Sequence, residues 1–298
     1  MKKFLSCVLA LSLVLIMAIP LFTASADGSI SVTVSCQIDD SGFVVARQTI
    51  SVAPGLSEAY GYVDAFNGTK VSQLDAIVAA HMLVFGDDKN VINAKLAVIS
   101  GSGFVTNFMG DGEGNVVSYV NGVNPGVAST NVEIFDGDLV EIFATQDTYM
   151  WSDTQTWFEY EGNQIEALTV AVDEAFTLTV AGIFCVIWGP PNTMPLDGIK
   201  DVGIVPVTVT GIAGHFGVPI KITDEDGEAT LSFAAPGTYI LSAVDVDSMF
   251  APFMSPWLEV TVLAEKEPPI KTAWWENLHW ILQWILRYLF FGWIWMAI

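Results

Sequence analysis

Two short acidic runs are the first places in this chain where chemistry could gather. Asp111-Gly112-Glu113-Gly114-Asn115 and Asp224-Glu225-Asp226-Gly227-Glu228 place carboxylates close enough to suggest calcium. Neither carries the glycine at the sixth position and the glutamate at the twelfth that an EF-hand loop needs, so solvated turns are the expectation. The histidines, His81, His215 and His279, fall in three different segments. No second histidine or cysteine is near His81, and a packed or rim residue is expected there rather than a metal ligand. Nucleophilic chemistry has no frame either, since the chain holds no G-x-S-x-G elbow, no H-E-x-x-H helix, no Walker loop and no dinucleotide-binding glycine pattern. Carboxylate pairs abound among 33 acidic residues, but small modules offer no deep cleft in which to desolvate one pair. The expectation is a non-catalytic protein with no metal and no cofactor.

Charge narrows the partners. The 33 acidic residues against 11 basic ones give a formal charge of −22. That field repels nucleic acid, so no nucleic-acid partner is expected. The two ends of the chain then set the location. Lys2 and Lys3 precede an apolar run, Phe4 to Phe22, and Ala24-Ser25-Ala26 supplies small residues for cleavage. Residues 1–26 read as a secretory signal of bacterial type. At the other end, WWENLHWILQWILRYLFFGWIWMAI carries Trp274, Trp275, Trp280, Trp284, Trp293 and Trp295, with Glu276 and Arg287 as its charged residues. Twenty-five helical residues reach about 37 Å, against a hydrocarbon core of about 30 Å. Glu276, His279, Gln283 and Arg287 align on one helical face, while from Tyr288 onward the helix is apolar all round. Residues 272–298 are therefore expected to anchor the protein in membrane lipid, either by spanning or by lying in the interface. The protein is expected to be exported and to sit on the extracellular face of the cell membrane.

Between the ends the patterns are mostly those of strands. Ile30, Val32, Val34, Cys36 and Ile38 alternate with polar residues, Asp39-Asp40-Ser41-Gly42 makes a turn, and Phe43 to Val52 returns. Ser72-Gln73-Leu74-Asp75 resembles a capping box, and Leu74, Ile77, Val78, Met82 and Phe85 follow at helical spacing before Gly86. Further on, Val132 to Phe135 and Leu139 to Phe143 are expected strands joined by Asp136-Gly137-Asp138. Asp147 to Phe158 reads as a hinge, and a second all-strand region follows. In it Ala167 to Val180 alternates, Gly189 to Gly203 breaks every period and reads as a loop, and Pro206 to Gly211, Val218 to Thr223, Ala229 to Phe233, Gly237 to Val244 and Trp257 to Leu263 are short strands. Glu265-Lys266-Glu267-Pro268-Pro269 is a stiff spacer. Cys36 and Cys185 could form a bridge or remain buried thiols, and both readings stand.

A hairpin, a helix and then strands carrying "Y-V-N-G … D-G-D-x-V-E" resemble the beta-grasp modules of exported bacterial proteins related to the C-terminal domain of transcobalamin (the DUF4430 type). Likewise "D-x-D-G-x-A-T-L-x-F … P-G-T-Y-x-L-x-A", from Thr223 to Ala243, resembles the closing half of bacterial immunoglobulin-like surface modules. The fold expected is mainly β: an α+β beta-grasp-like module at 29–146, an immunoglobulin-like β-sandwich at 147–264, a linker at 265–271 and a C-terminal hydrophobic helix. The order of parts leads to a non-catalytic surface protein displaying a binding or adhesion module towards an unknown surface ligand or protein. The transcobalamin resemblance implies an alternative, capture of a corrinoid or similar planar ligand, for which Phe108, Tyr119, Asn121, Tyr149 and Trp151 are the candidate contacts. That family carries a tryptophan-rich strand before the Asn-Gly turn, where this chain has Val117-Ser118-Tyr119.

Overall fold

The alternating first segment becomes strand β1 (Ile30–Asp39), which pairs with β2 (Gly42–Val52) as an antiparallel hairpin with Asp39 opposite Gly42. Val32, Val34 and Cys36 are buried, as the period of two requires, but Ser35 and Gln37 are buried as well. The simple in-out alternation ends there because a second layer covers the other face of this hairpin. At the same place the register shifts: Val34 lies opposite Gln48 and Cys36 opposite Val45, so Ala46 and Arg47 together face Ser35. Arg47 adopts φ 43° in this bulge, a geometry that re-aims its side chain. A computed structural model describes residues 28–39, 42–111, 116–144, 153–184, 195–246 and 253–264. The leader 1–26, the linker 265–271, the tail 272–298, Tyr149, Trp151 and Cys185 lie outside the described residues. No helix among the described residues is long and apolar enough to cross a membrane.

Three helices follow the hairpin: α1 (Leu56–Tyr60), α2 (Gln73–Phe85) and α3 (Lys89–Lys95). The capping box at the start of α2 is present: the Asp75 amide donates to Ser72 Oγ at 3.1 Å, and the Ser72 amide donates to Asp75 Oδ2 at 2.9 Å. Two of the first-turn amides that a helix leaves unpaired are thereby satisfied. Gly86 ends the helix with its amide on the Met82 carbonyl at 2.9 Å. The short α1 and α3 are too brief to show a period in sequence. Leu74, Ile77 and Val78 of α2 meet Val32, Val34, Phe108 and Ile142 in one buried core.

After α3 come β3 (Ala97–Val98), β4 (Val105–Asn107), β5 (Val116–Val120), a 3-10 turn (Ser129–Asn131) and β6 (Leu139–Ala144). Val132 to Phe135 is not a strand, contrary to expectation. Its backbone is used to hold the entry to α2: Gln73 donates to the Val132 carbonyl at 2.8 Å and Ile134 to the Val71 carbonyl at 3.1 Å. β6 lies parallel to β1 and antiparallel to β5.

Among the described residues of the second half the regular elements are strands. They are β7 (Thr154–Tyr160), β8 (Asn163–Ile165), β9 (Ala167–Ala171), β10 (Phe176–Phe184), β11 (Pro195–Leu196), β12 (Val202–Thr210), β13 (Ala213–Phe216), β14 (Lys221–Ile222), β15 (Glu228–Leu231), β16 (Gly237–Asp245), β17 (Phe253–Met254) and β18 (Leu258–Leu263). Two sequence readings are corrected. The end of the expected hinge is β7, a strand that pairs along β10. The end of the expected loop is the start of β12, where Gly203 interrupts the apolar run because Val246 and Pro219 lie so close that a Cβ would meet them. Tyr239 is half-buried; it stacks on Phe233 at 4.2 Å and donates to the Ala235 carbonyl at 2.9 Å.

The architecture is mainly β. One ten-stranded sheet runs β5-β6-β1-β2-β13-β12-β16-β18-β9 with β14 beside β12, so it passes without a break from the first half of the chain into the second. A six-stranded sheet, β11-β10-β7-β17 with β15 and β8 attached, covers its second half. Phe158, Leu178 and Val180 from one layer and Ile204, Leu241 and Val260 from the other are buried together between them.

The continuity depends on one close approach. Gly42 pairs with His215 and Phe43 with Gly214, and Gly42 sits at φ 147° with its missing Cβ directed at the Gly214 carbonyl. Any side chain there is strained and collides with backbone. Gly42→Ala is expected to cost about 2–4 kcal/mol, in the range of overpacking and backbone strain together. Chemical denaturation of the two proteins, compared at equal m-value, checks this figure.

Candidate functional site

The candidate contact residues are placed by three different parts of the fold. Asn121 stands in the turn after β5 at φ 52°. Its Nδ2 donates to Asp138 Oδ1 at 2.8 Å, and its Oδ1 accepts from the Leu139 amide at 2.9 Å. Asp138 Oδ2 in turn accepts from the Phe135 amide at 2.8 Å, and Asp136 Oδ1 accepts from the Ser31 amide at 2.8 Å. The Asn-Gly and Asp-Gly-Asp phrases therefore clip the end of β5 to the start of β6 and to β1. Both polar ends of the Asn121 side chain are committed to that clip.

Phe108 is wholly buried in the first core, with its ring 5.1 Å from that of His81 in an edge-on arrangement. His81 is also wholly buried. Its Nδ1 lies 2.8 Å from the Ile77 carbonyl, and its Nε2 accepts from the Met109 amide at 3.0 Å. That pair of partners suits the neutral ring protonated on Nδ1. Burial holds the His81 pKa below the ordinary value, outweighing the backbone hydrogen bonds that pull it up. The packed reading of this histidine is the one the geometry meets.

Tyr119 is buried elsewhere, in a cluster with Val117, Phe143 and Met254. Met254 belongs to β17, so this cluster lies where the two halves of the chain meet. Close by in the fold, Gln37 of β1 and Ser255 clasp each other twice: Gln37 Nε2 donates to Ser255 Oγ at 3.1 Å, and the Ser255 amide donates to Gln37 Oε1 at 3.0 Å. Phe43, Ala46 and Val207 form a second junction cluster with Phe216, Ile240 and Trp257. Phe108 and Tyr119 thus fall in separate cores and do not form one exposed aromatic patch.

Sequence reasoning missed two features of the surface. The first is Arg47, whose guanidinium reaches Glu166 Oε2 at 3.0 Å and Glu141 Oε1 at 3.8 Å and lies 5.7 Å from the centre of the Trp257 ring. Nothing in the spacing of these residues announces the grouping, because the bulge in β2 creates it. The second is a groove of about 350 Å³ lined by Tyr62, Asp64, Ile99, Ser102, Thr130 and Asn131 among others. Gly103 at its rim leaves no room for a Cβ against Thr130, and the Ala65 amide donates to the Thr130 carbonyl at 2.9 Å. Loop glycines and serines of this kind carry no sequence signal of a shared cavity.

The acidic runs behave as turns where they are described. Asp224 Oδ1 accepts from the amides of Asp226 and Glu228 at 3.1 and 3.0 Å, which is the local side-chain-to-backbone bonding that shapes a turn. No cluster of three metal-binding side chains occurs among the described residues. Cys36 is a free thiol in the first core, and burial pushes its pKa far up.

Comparison with known proteins adds little. No known family matches the sequence, and no curated protein matches it. Among solved structures, a CARDB domain from Pyrococcus furiosus, determined in complex with di-metal ions, aligns with 38% of this chain and 90% of its own at 11% identity. The TM-score is 0.20, a superposition too loose to carry any argument for this chain.

The buried neutral His81 has a consequence for pH. Its folded pKa is depressed, so the unfolded chain takes up a proton that the folded chain refuses once the pH falls below the unfolded value of about 6.5. Its contribution to stability is therefore complete above that pH and is lost as the pH falls towards the folded value. His81→Phe removes both hydrogen bonds and leaves the Met109 amide unpaired, at a cost of about 1–3 kcal/mol. Thermal unfolding between pH 7.5 and pH 5.5 is expected to show a shallower pH dependence in this variant than in the wild type.

Proposed function

We propose that this chain is an exported, membrane-anchored bacterial surface protein, non-catalytic, that displays a binding or adhesion module. In this reading residues 1–26 are removed on export and residues 272–298 hold the protein in membrane lipid on the extracellular face. The N-terminal module is of beta-grasp type, and the second half is an immunoglobulin-like sandwich that carries it. Three points support the fold assignment. The order β5-β6-β1-β2, with β6 parallel to β1 and α2 packed over the sheet, is the arrangement a beta-grasp requires. The second half buries one core between two sheets. Tyr239 reaches back to the Ala235 carbonyl, a bond of the kind that a tyrosine corner makes.

The observation that carries the functional reading is the burial of Tyr119 against Met254 at the junction of the two halves. An aromatic side chain spent on joining the modules favours a rigid display platform over a ligand contact at the same position. The partners expected are lipid, through the tail, and a surface ligand or protein. The test is fractionation of cells making the full chain and a version ending at Lys271, with carbonate extraction of the membranes. The full chain is expected in the carbonate-resistant pellet and the shortened one in the soluble fraction. Release of both would overturn the membrane anchor.

Capture of a small ligand such as a corrinoid is the second reading, and the groove beside Tyr62 and Asn131 is the observation that favours it. Equilibrium dialysis of the purified full chain against cyanocobalamin tests it. Retention that is lost in Asn131→Trp, a change that fills the groove, supports capture; no retention at micromolar protein removes a corrinoid from the reading.

A further inference from the structure

We propose that Arg47, Glu141 and Glu166 form an acid-released latch that sets how rigidly the two halves of this protein are joined. Arg47 lies on β2 of the first half, Glu141 on β6 of the same half, and Glu166 between β8 and β9 of the second. The guanidinium therefore ties β2 across the junction to Glu166 at 3.0 Å, while Glu141 at 3.8 Å supports it from its own side. Trp257, ahead of β18, offers its ring to the same guanidinium and also stacks edge-on against Phe43 at 5.4 Å. The ion pairs across the junction and the Trp257 ring converge on one side chain.

Three features make this a latch and not an ordinary surface ion pair. First, the Arg47 side chain is only 17% exposed and Glu141 18%, so their charges are partly stripped of water. Exposed pairs contribute little, whereas a shielded charge that loses its partner is costly. Secondly, the Arg47 backbone sits at φ 43°, a conformation a non-glycine residue holds only when its surroundings impose it. Thirdly, Arg47 Nε is buried without a hydrogen-bond partner, so the guanidinium depends on its two carboxylates for compensation. The groups facing Arg47 are Glu141 from β6, Glu166 from the turn before β9, and the uncharged Trp257. Glu259, whose amide donates to the Glu166 carbonyl at 3.0 Å, is itself exposed on β18.

Acid acts on this set in one direction. Burial raises the Glu141 pKa, with Arg47 opposing and Glu166 adding to the rise, so Glu141 takes up a proton at a higher pH than an ordinary glutamate. A neutral Glu141 removes one of the two carboxylates that compensate Arg47, beside an apolar junction and in a strained backbone position. The favourable course for the guanidinium is to swing into water, which frees Trp257 and loosens the tie from β2 to Glu166. The Gln37–Ser255 clasp and the backbone pairing of Gly42–Phe43 with Gly214–His215 do not titrate and keep the halves attached, so the change is from a rigid to a compliant joint and not a separation.

Hydrogen exchange of the full chain, purified in detergent, tests the latch. Protection factors are compared at pH 7.5 and pH 5.0 for peptides spanning Val44 to Val52 and Trp257 to Leu263, with the α2 peptide as an internal control. The wild type is expected to lose at least tenfold protection in the two junction peptides on acidification, with α2 unchanged. Glu141→Gln is expected to show the acid value already at pH 7.5. Arg47→Met is expected to show low protection at both values. Should Glu141→Gln fail to fold, Glu166→Gln, at a half-exposed position, is expected to lower junction protection at pH 7.5. Wild-type junction protection that is the same at both pH values would overturn the proposal. So would a Glu141→Gln variant that keeps wild-type protection at pH 7.5, or an equal loss in α2. None of these results depends on the tail or on lipid, so the outcome is separate from that of the fractionation experiment.

Discussion

The meeting of β2 and β13 is the constraint on which the rest of this structure rests. Two backbones come together at Gly42 and Gly214 closely enough to exclude a side chain, and through that contact one sheet continues across both halves of the chain. Everything at the junction follows from the continuity. Ser35 and Gln37 are buried because the second half covers them, Tyr119 is drawn into a cluster with Met254, and the bulge at Arg47 turns a guanidinium towards Glu166. Two modules on a string would have left each of these side chains in water.

Part of the acidity of the chain is structural in use. Asp75 takes the amides of Ser72 and Ser57, Asp64 those of Phe66 and Asn67, Asp136 that of Ser31, and Asp138 that of Phe135. A carboxylate that accepts backbone amides fixes a loop while contributing negative charge to the whole. The net charge of −22 is thus partly a by-product of how loops and helix starts are held, and it describes partners only in the coarse sense of what it repels.

The hairpin β1–β2, helix α2 with its capping box, and strands β6, β10 and β16 were legible in the sequence because each is governed by local rules: a period, a cap or a turn. Phe176, Leu178 and Val180 are buried as their alternation requires. The strand at Val202 was not legible, since Gly203 is there to make room for Pro219 and Val246, and a long-range contact leaves no mark on the local pattern. Val132 to Phe135 failed for the opposite reason: its composition suits a strand, but its backbone pairs one residue at a time with the entry to α2. The candidate contacts fared according to the same division. Asn121 was correctly placed in a tight turn, while the clip it makes with Asp138 and the groove beside Tyr62 arise from segments far apart in sequence.

The position of β18 bears on mechanics. It lies between β16, to which it runs antiparallel over five residue pairs, and β9, to which it runs parallel over five more. It is also the last strand before the chain leaves the described fold at residue 264. Tension applied beyond that point is directed along the strand, and ladder hydrogen bonds stand across the strand direction. They are loaded in shear, so the bonds on both flanks share the force and must give way together, in contrast to the one-by-one parting of a strand peeled from an edge. A chain pulled from this end is gripped on both flanks at once.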